Sequence, residues 1–374
     1  MRITFLVTHL LGTGHLARAL TLARAAAEAG HDARVISGGR PAPALIAQGV
    51  TLVPLPPVAS DGINFTRLLD ENGTPVADDY MEARRLALAA AIEDAASDVL
   101  VTELYPFGRR VLKAEFLTAL NRTKAAGRGA RIYASVRDIL APPSDPRKAA
   151  ETEAVLAAFY DKVLVHSDPA VTPLDASWPV TPVLADRLIY TGFVTPPAAP
   201  LHPESAGAGE IIVTAGGGPV GGALFEAALA AAKILPLPWR LLVGGSDAAA
   251  RIAAMQTKAP RNVTIESLRP DFRQMLHHAS VSVSMCGYNT ALDLLQTGVP
   301  AVLIPFDAGG EAEQGLRARA LATRRRQFRV LAAGETTGAT LAQAVADQSA
   351  VPRQTNDAAF DGATRTVAVL EGRL

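Results

Sequence analysis

Two α/β domains, each built on a doubly wound parallel sheet, are what this sequence predicts. Three observations carry the prediction. Short apolar runs alternate with Ala- and Leu-rich amphipathic stretches along most of the 374 residues, the pattern of repeated βαβ units. The alternation halts at one Pro-rich stretch, Thr195-Pro196-Pro197-Ala198-Ala199-Pro200-Leu201-His202-Pro203, and then restarts. Each half begins with a strand and a Gly-containing turn, as expected of two similar domains.

In the first half, residues 3–7 read as a strand, 11–14 as a turn, 16–29 as a helix and 33–37 as a second strand. That is a βαβ unit of the usual length of about 30 residues, which implies parallel pairing. Further strands are predicted at 50–54, 98–102, 130–135 and 162–166, with helices over 84–97 and 111–125. The Pro-rich stretch holds neither a helix nor a central strand, because its prolines fix φ and lack donors. It reads as a linker over 195–204 between an N-terminal domain (1–194) and a C-terminal domain (205–355). In the second half a strand over 210–214 precedes a Gly-rich turn at 216–222 and a helix over 223–233. Strands follow at 239–243, 262–265, 280–284 and 300–304. The tail, 356–374, is predicted to carry one more helix that packs back on the N-terminal domain.

Composition narrows the classes of function. Hydrophobic residues make up 49% and charged residues 19%, a globular balance. Lys+Arg and Asp+Glu are both 36, so no global charge attracts nucleic acid. The single cysteine, Cys286, excludes an intrachain disulfide and a Cys-rich metal site. It reads as a packed small residue, since no partner base is identifiable. The first apolar run reads as a strand, with no small-residue cleavage site after it. No apolar stretch approaches the roughly 18 residues of a membrane span. A cytoplasmic location is the expectation.

Candidate chemistry lies at the turns. Thr214-Ala215-Gly216-Gly217-Gly218-Pro219-Val220-Gly221-Gly222 joins a strand to a helix. Glycines there let the backbone approach a phosphate, and the helix start offers free N–H groups; the same turn also serves as a plain βα connection. A second such turn, Gly287-Tyr288-Asn289-Thr290, opens the next helix, with Asn289 and Thr290 as candidate caps. Asp293, three residues on, is placed to accept two hydrogen bonds from a ribose diol or to interact with the helix dipole. Two anion-binding turns in one domain suit a diphosphate. Glu313 and Gln314 begin the helix after the loop at 305–312 and are candidates for sugar hydroxyls.

In the first half His15 follows Gly12-Thr13-Gly14 at the first strand–helix turn, either as a base for an acceptor hydroxyl or as a structural helix-start residue. Glu103 and Asp138 are expected at the same carboxyl edge, with Arg109, Arg110 and Arg137 beside them as candidate partners. No Asp-x-Asp closes a strand, Asp78-Asp79 sit in a polar segment, and the adjacent His277 and His278 point apart on a helix. No metal and no cofactor are expected.

The run Cys286-Gly287-Tyr288-Asn289-Thr290-Ala291-Leu292-Asp293 through Pro305-Phe306, with Glu311-Ala312-Glu313-Gln314 after it, resembles the donor-site signature of the MurG-like glycosyltransferases. That group includes the peptidoglycan lipid-intermediate N-acetylglucosaminyltransferase. Over nearly its full length the chain is similar to a bacterial branch of predicted glycosyltransferases. Five ordered motifs carry the similarity: Gly12 to Arg18, Glu103 to Arg110, Arg137 to Leu140, Tyr190 to Gly192, and Gly287 to Thr290. The resemblance implies a GT-B fold, two Rossmann-like domains facing a cleft, with the acceptor in the N-terminal domain and the nucleotide sugar in the C-terminal one. It further implies a metal-independent, inverting transfer from a nucleoside diphosphate sugar, UDP being the expected carrier. Gly14 and His15 match the Gly-rich loop and histidine near the reaction centre, with Glu103 as the other candidate base. Asp293 matches a ribose-binding acid, shortened from Glu. Leu268, within Ser267-Leu268-Arg269, matches a segment whose backbone reads the base, and Glu313 and Gln314 match a Gln-Gln pair on the donor sugar. The glutamate departs from that pair and leaves the sugar open. The motifs around Glu103 and Arg137 depart from the lipid-substrate enzyme, so Arg109, Arg137 and Asp138 are acceptor-side candidates for an acceptor that does not carry over. Cell-surface glycan or glycoconjugate synthesis, with peripheral contact at the inner membrane face, fits the resemblance. A nucleotide-sugar hydrolase or epimerase of the same fold, and a nucleotide-sugar-binding regulatory protein, are the alternatives.

Overall fold

In the computed structural model, residues 1–43, 45–60, 67–216, 220–306, 312–354 and 357–374 are described. They form two compact units. The first comprises Met1–Pro169, Pro173–Val194 and Ala359–Leu374, the second Ala170–Thr172 and Thr195–Ala358.

The first unit is built around β1 (Arg2–Val7), in which every residue after Arg2 is buried. Such a run satisfies a strand covered on both faces. After α1 (Gly14–Glu28) come β2 (Asp32–Ser37), β3 (Thr51–Pro54) and a small antiparallel pair, β4 (Ala59–Ser60) with β5 (Leu68–Leu69). Then follow α2 (Asp78–Ala95), β6 (Val99–Glu103), α3 (Lys113–Ala125), β7 (Arg131–Arg137), α4 (Pro146–Phe159), β8 (Lys162–His166), α5 (Pro182–Ala185) and β9 (Leu188–Tyr190). The main sheet has the order β3-β2-β1-β6-β7-β8-β9, all parallel. Period-two alternation sorts β1 between two cores. Ile3, Phe5 and Val7 pack with Leu16 and Leu20 of α1, while Leu6 faces Leu88 and Ile92 of α2 and Phe116 of α3.

Two helices of this unit differ from the sequence expectation. The helix expected from 84 begins at Asp78, so the polar segment that holds Asp78 and Asp79 is its first turn, where the helix dipole favours acids. The helix α4 was not expected at all. Its start carries a full signal, Asp145 accepting from the Arg147 N–H at 2.8 Å with Pro146 in the first turn.

The second unit repeats the plan with β10 (Ile211–Thr214), α6 (Gly222–Ile234), β11 (Trp239–Val243), α7 (Ala248–Gln256), β12 (Val263–Ser267), α8 (Phe272–Met275), β13 (Val281–Ser284), α9 (Tyr288–Thr297), β14 (Ala301–Leu303), α10 (Glu313–Arg324), β15 (Phe328–Val330) and α11 (Gly338–Ser349). Its sheet runs β12-β11-β10-β13-β14-β15, again parallel. The Pro-rich stretch offers carbonyls without donors, and this unit supplies the donors. Arg273 donates to Pro197 O (2.8 Å), Gln296 to Pro196 O (3.1 Å), and the His277 ring lies 2.8 Å from Ala199 O. The last helix, α12 (Gly362–Leu370), returns to the first unit and buries Val367, Val369 and Leu370 in the core that holds α1. Among the described residues no helix is long and apolar enough to cross a membrane.

Candidate functional site

Each sheet reverses its strand order beside its first strand. In the first unit the chain winds outward from β1 through β2 and β3, then returns to lay β6 on the other side of β1. Loops leaving the carboxyl ends of β1 and β6 therefore diverge there, which opens the crevice in which doubly wound sheets bind ligands. His15 opens α1 just after β1, and Glu103 is the last residue of β6. The strand order brings residues 88 apart in sequence into contact: His15 Nδ1 lies 3.0 Å from Glu103 Oε1.

Glu103 is buried, 4% exposed, and fully engaged. Arg18, one turn along α1 from His15, donates to Oε1, and the Ser135 hydroxyl donates to Oε2 at 2.6 Å. Burial pushes the Glu103 carboxyl up, but Arg18 and His15 outweigh it and hold the group well below the usual carboxylate range. An ionised carboxylate only accepts, so the 3.0 Å contact requires the proton on His15 Nδ1. The 3.2 Å approach of Arg18 to the same nitrogen is then a contact between two donors, not a hydrogen bond. With Nδ1 protonated and the ring neutral, the basic lone pair is on Nε2. Burial lowers the His15 pKa to about 4, against the raising effect of Glu103, so the ring is neutral at physiological pH.

Arg109 joins this group from the loop after β6. It takes a left-handed backbone (φ 58°) and its Nε donates to Thr8 O at 2.6 Å, tying the β6 loop to the β1 loop. Burial lowers its pKa to about 10, opposed by Glu103 and reinforced by Arg18. Arg137 and Asp138 follow at the end of β7; the Arg137 Nε donates to Ile139 O (3.1 Å) and Asp138 is buried. Glu103 is thus an interior anchor rather than part of a surface ion pair. Sequence reasoning missed Ser135 and His166, which sit behind Glu103. Their signal was a polar residue near the carboxyl end of a strand, Ser135 within β7 and His166 closing β8.

The second unit has its reversal between β10 and β13, and both Gly-containing turns leave that point. Gly216 adopts φ +83° and its N–H donates to Thr214 Oγ1 (3.1 Å). Gly221 caps α6 at φ +90°, and a Cβ there would meet the Ala215 Cβ at 2.3 Å, so only glycine fits. Gly217 and Gly218, and residues 307–311 of the later loop, lie outside the described residues.

At the other turn Gly287 is the N-cap of α9, and no side chain caps it. This corrects the expectation for Asn289 and Thr290. The helix starts at Tyr288, so both lie within its first turn, and Asn289 is exposed. Neither α6 nor α9 has an acid in its first turn, which leaves the positive dipole ends and N–H groups to an anion.

Asp293 is largely buried and its Oδ1 accepts from Arg273 Nε at 2.7 Å. Burial raises its pKa and Arg273 opposes the rise. Its Oδ2 takes no hydrogen bond from the described residues. Gln314 turns its Oε1 inward, accepting from the N–H groups of Cys286 (3.1 Å) and Phe306 (3.2 Å), and so bridges the ends of β13 and β14. Arg317, one turn on, donates to Cys286 O (3.1 Å) and lies over the Tyr288 ring. The start of α10 thereby shapes the 285–288 turn. Glu313 is the first residue of α10. The Leu268 N–H donates to Val243 O (2.9 Å) and extends the β11–β12 ladder. Among the described residues no three His, Cys, Asp or Glu side chains group as a metal site.

Residues 212–367 match the Glycosyltransferase family 28 C-terminal domain. The whole chain superposes on the crystal structure of Acinetobacter baumannii MurG with a TM-score of 0.64 at 17% identity, covering 100% of both chains. For the glycotransferase of kitacinnamycin the TM-score is 0.65 at 17% identity, covering 100% of this chain and 99% of that one. For the spinosyn rhamnosyltransferase SpnG complexed with thymidine diphosphate it is 0.56 at 16% identity, covering 100% and 96%. No curated protein matches the sequence. Two parallel six- and seven-stranded sheets, each with its turns at a point of strand reversal, are the GT-B fold. The match to the family 28 C-terminal domain lies in the second half of the chain, and the whole chain shares its fold with MurG.

Proposed function

We propose that the protein transfers a sugar, with inversion and without a metal, from a nucleoside diphosphate held by the second unit to an acceptor hydroxyl deprotonated by His15. The observation that carries this reading is the His15–Glu103 contact of 3.0 Å, because it leaves a neutral ring with its lone pair on Nε2. In the proposed step Nε2 takes the hydroxyl proton while the oxygen attacks the anomeric carbon. The bond from that carbon to the diphosphate breaks on the opposite face, and the leaving group carries the electron pair away. N–H groups and dipole ends at the starts of α6 and α9 would meet the developing charge as preorganised donors. Asp293 Oδ2 would accept from the ribose. The complex of SpnG with thymidine diphosphate supports a nucleoside diphosphate as the ligand class; UDP remains the proposed carrier on the resemblance.

The test is a thermal-shift screen of nucleotides and nucleotide sugars, followed by turnover of the donor it identifies. Wild type and His15→Ala are incubated with that donor, with and without cell-derived lipid and saccharide acceptors. Nucleotide release and product mass are followed. Acceptor-dependent product, slowed by roughly 10²- to 10⁴-fold in His15→Ala, is the expected result. Rapid His15-dependent release of free sugar without any acceptor would replace the transferase reading with a hydrolase. Unchanged turnover by His15→Ala would remove His15 as the base.

A further inference from the structure

The contact between His15 and Glu103 is the outer end of a longer chain of hydrogen bonds. Glu103 Oε2 accepts from Ser135 Oγ at 2.6 Å, and Ser135 Oγ lies 2.9 Å from His166 Nε2. His166 Nδ1 lies 2.8 Å from Thr191 Oγ1. Glu103 and His166 are the last residues of β6 and β8, Ser135 lies in β7 between them, and Thr191 follows β9. The chain therefore crosses four neighbouring strands at the carboxyl edge of one sheet. Ser135 is 1% exposed, and His166 and Thr191 are 0%. A fully buried histidine three hydrogen bonds behind the base needs a reason to be polar, because an apolar residue would avoid the cost of burying an imidazole.

We propose that Ser135 and His166 are positioning residues that fix the tautomer and orientation of His15 through Glu103. This rests on the reading of His15 as the base. Proton counting gives the chain one direction. Glu103 is an anion and must accept, so the Ser135 proton points to Oε2 and its oxygen is left to accept. His166 then donates from Nε2, so in the neutral ring Nδ1 must accept, and the Thr191 hydroxyl is the donor beside it. Every donor points toward the carboxylate. Arg18 donates to Oε1 and Ser135 to Oε2, which orients the carboxylate so that Oε1 also accepts from His15 Nδ1–H. Without Ser135, Oε2 loses its donor, the carboxylate is held on the Oε1 side alone, and its grip on the His15 Nδ1 proton loosens. The charged and titratable groups facing these rings are Glu103, Arg18 and Arg109 around His15, and Arg18 and Glu103 around His166. All belong to the first unit.

The experiment uses the full chain labelled with ¹⁵N-histidine. Ring-nitrogen shifts report the His15 tautomer directly, with assignment by His15→Ala. Wild type is expected to hold His15 with its proton on Nδ1 across pH 6 to 8. Ser135→Ala and His166→Leu should populate the Nε2–H form, the one an unconstrained histidine side chain prefers in water. They should lower kcat by roughly 10- to 100-fold while leaving the KM for the donor unchanged, and should move the acid limb of the pH profile. His166→Gln carries an amide N–H where Nε2–H was and should restore the wild-type tautomer and profile. Thr191→Val keeps the core packed but removes the donor to Nδ1, so it serves as a second probe if His166→Leu fails to fold; it too should populate the Nε2–H form. A wild-type tautomer and pH profile in Ser135→Ala and Thr191→Val would overturn the proposal and make the chain mere packing. The spectrum also keeps the two readings apart. If His15→Ala turns over normally the base assignment fails, and the tautomer shifts still decide whether the chain acts on His15.

Discussion

Glu103 accepts hydrogen bonds from His15, Ser135 and Arg18, and that arrangement has a consequence for acid stability. Burial lowers His15 to about 4 and His166 to about 3, in the second case with Arg18 adding to the effect. Both folded values lie below the ordinary value near 6.5, so the unfolded chain takes up protons that the folded chain refuses. Stability is unaffected above about pH 6.5 and falls as pH drops toward the folded values, by up to about 1.4 kcal/mol per pH unit for each ring. Glu103 adds to the loss only below its ordinary range near 4.5, because its depressed pKa stabilises the fold above that. Each unit contains one tryptophan, Trp178 in the first and Trp239 in the second, and both are buried. In a Trp239→Phe background, Trp178 fluorescence should therefore show unfolding free energy declining between pH 6.5 and 5. His166→Gln should lose about half of that slope, and an unaltered slope would mean that His166 is not neutral in the fold. His15 and Glu103 were both legible as carboxyl-edge residues. Their contact was not, because it depends on β1 and β6 being neighbours, and strand order leaves no mark on local periodicity.

At the scale of elements, α9 carries the 287–290 turn, so whatever fixes the helix fixes the turn. Its C-terminus closes at Gly298 with φ +65°, and a Cβ there would sit 2.1 Å from Gln354 O and 3.0 Å from its carbonyl carbon. Two backbones approach one another at this point, as Gln354 N–H donates to Gly298 O (3.1 Å). Gly209 also has a positive φ, +71°, but nothing within 4 Å of its Cβ position. The pair separates conformational strain from collision. Gly209→Ala should cost about 1 kcal/mol, and Gly298→Ala about 2–4 kcal/mol because the backbone must move as well. Trp239 fluorescence in urea, in a Trp178→Phe background, measures both, and equal costs would show that the Gln354 segment yields freely. Boundaries were readable where a buried apolar run marks them, as at the end of β13 at Ser284. The start of α2 was not, since Asp78 and Asp79 look like loop until their place at a helix N-terminus is known. The turn at 287–290 was legible, but the bonds of Gln314 and Arg317 to Cys286 just before it were not, because they come from a helix about 30 residues away.

For the whole molecule, the chain divides by folding unit rather than by simple halves. The main crossing falls at Val194–Thr195, and the chain returns at Ala358–Ala359 to finish in the first unit. The family 28 match runs to residue 367 and so includes most of α12, although α12 packs on α1. Sequence similarity thus groups this helix with one domain, and its core contacts group it with the other. The Pro-rich stretch was legible as a break in the alternation, but its attachment to the second unit was not, because it depends on donors from Arg273 and Gln296 far along the chain. Leu370 tests the assignment of the tail. It is 0% exposed and sits with Leu16 and Leu20 in the core of the first unit. Leu370→Ala deletes buried methyl groups and leaves a cavity that the sheet beneath cannot fill by collapse. The expected cost is about 2–5 kcal/mol, borne by the first unit alone. With one tryptophan per unit the outcome can be read directly. The Trp178 transition should move to lower urea by that amount, and the Trp239 transition should stay in place. Equal movement of both would show that the two units unfold as one. Movement of Trp239 alone would place α12 energetically with the second unit, against its packing.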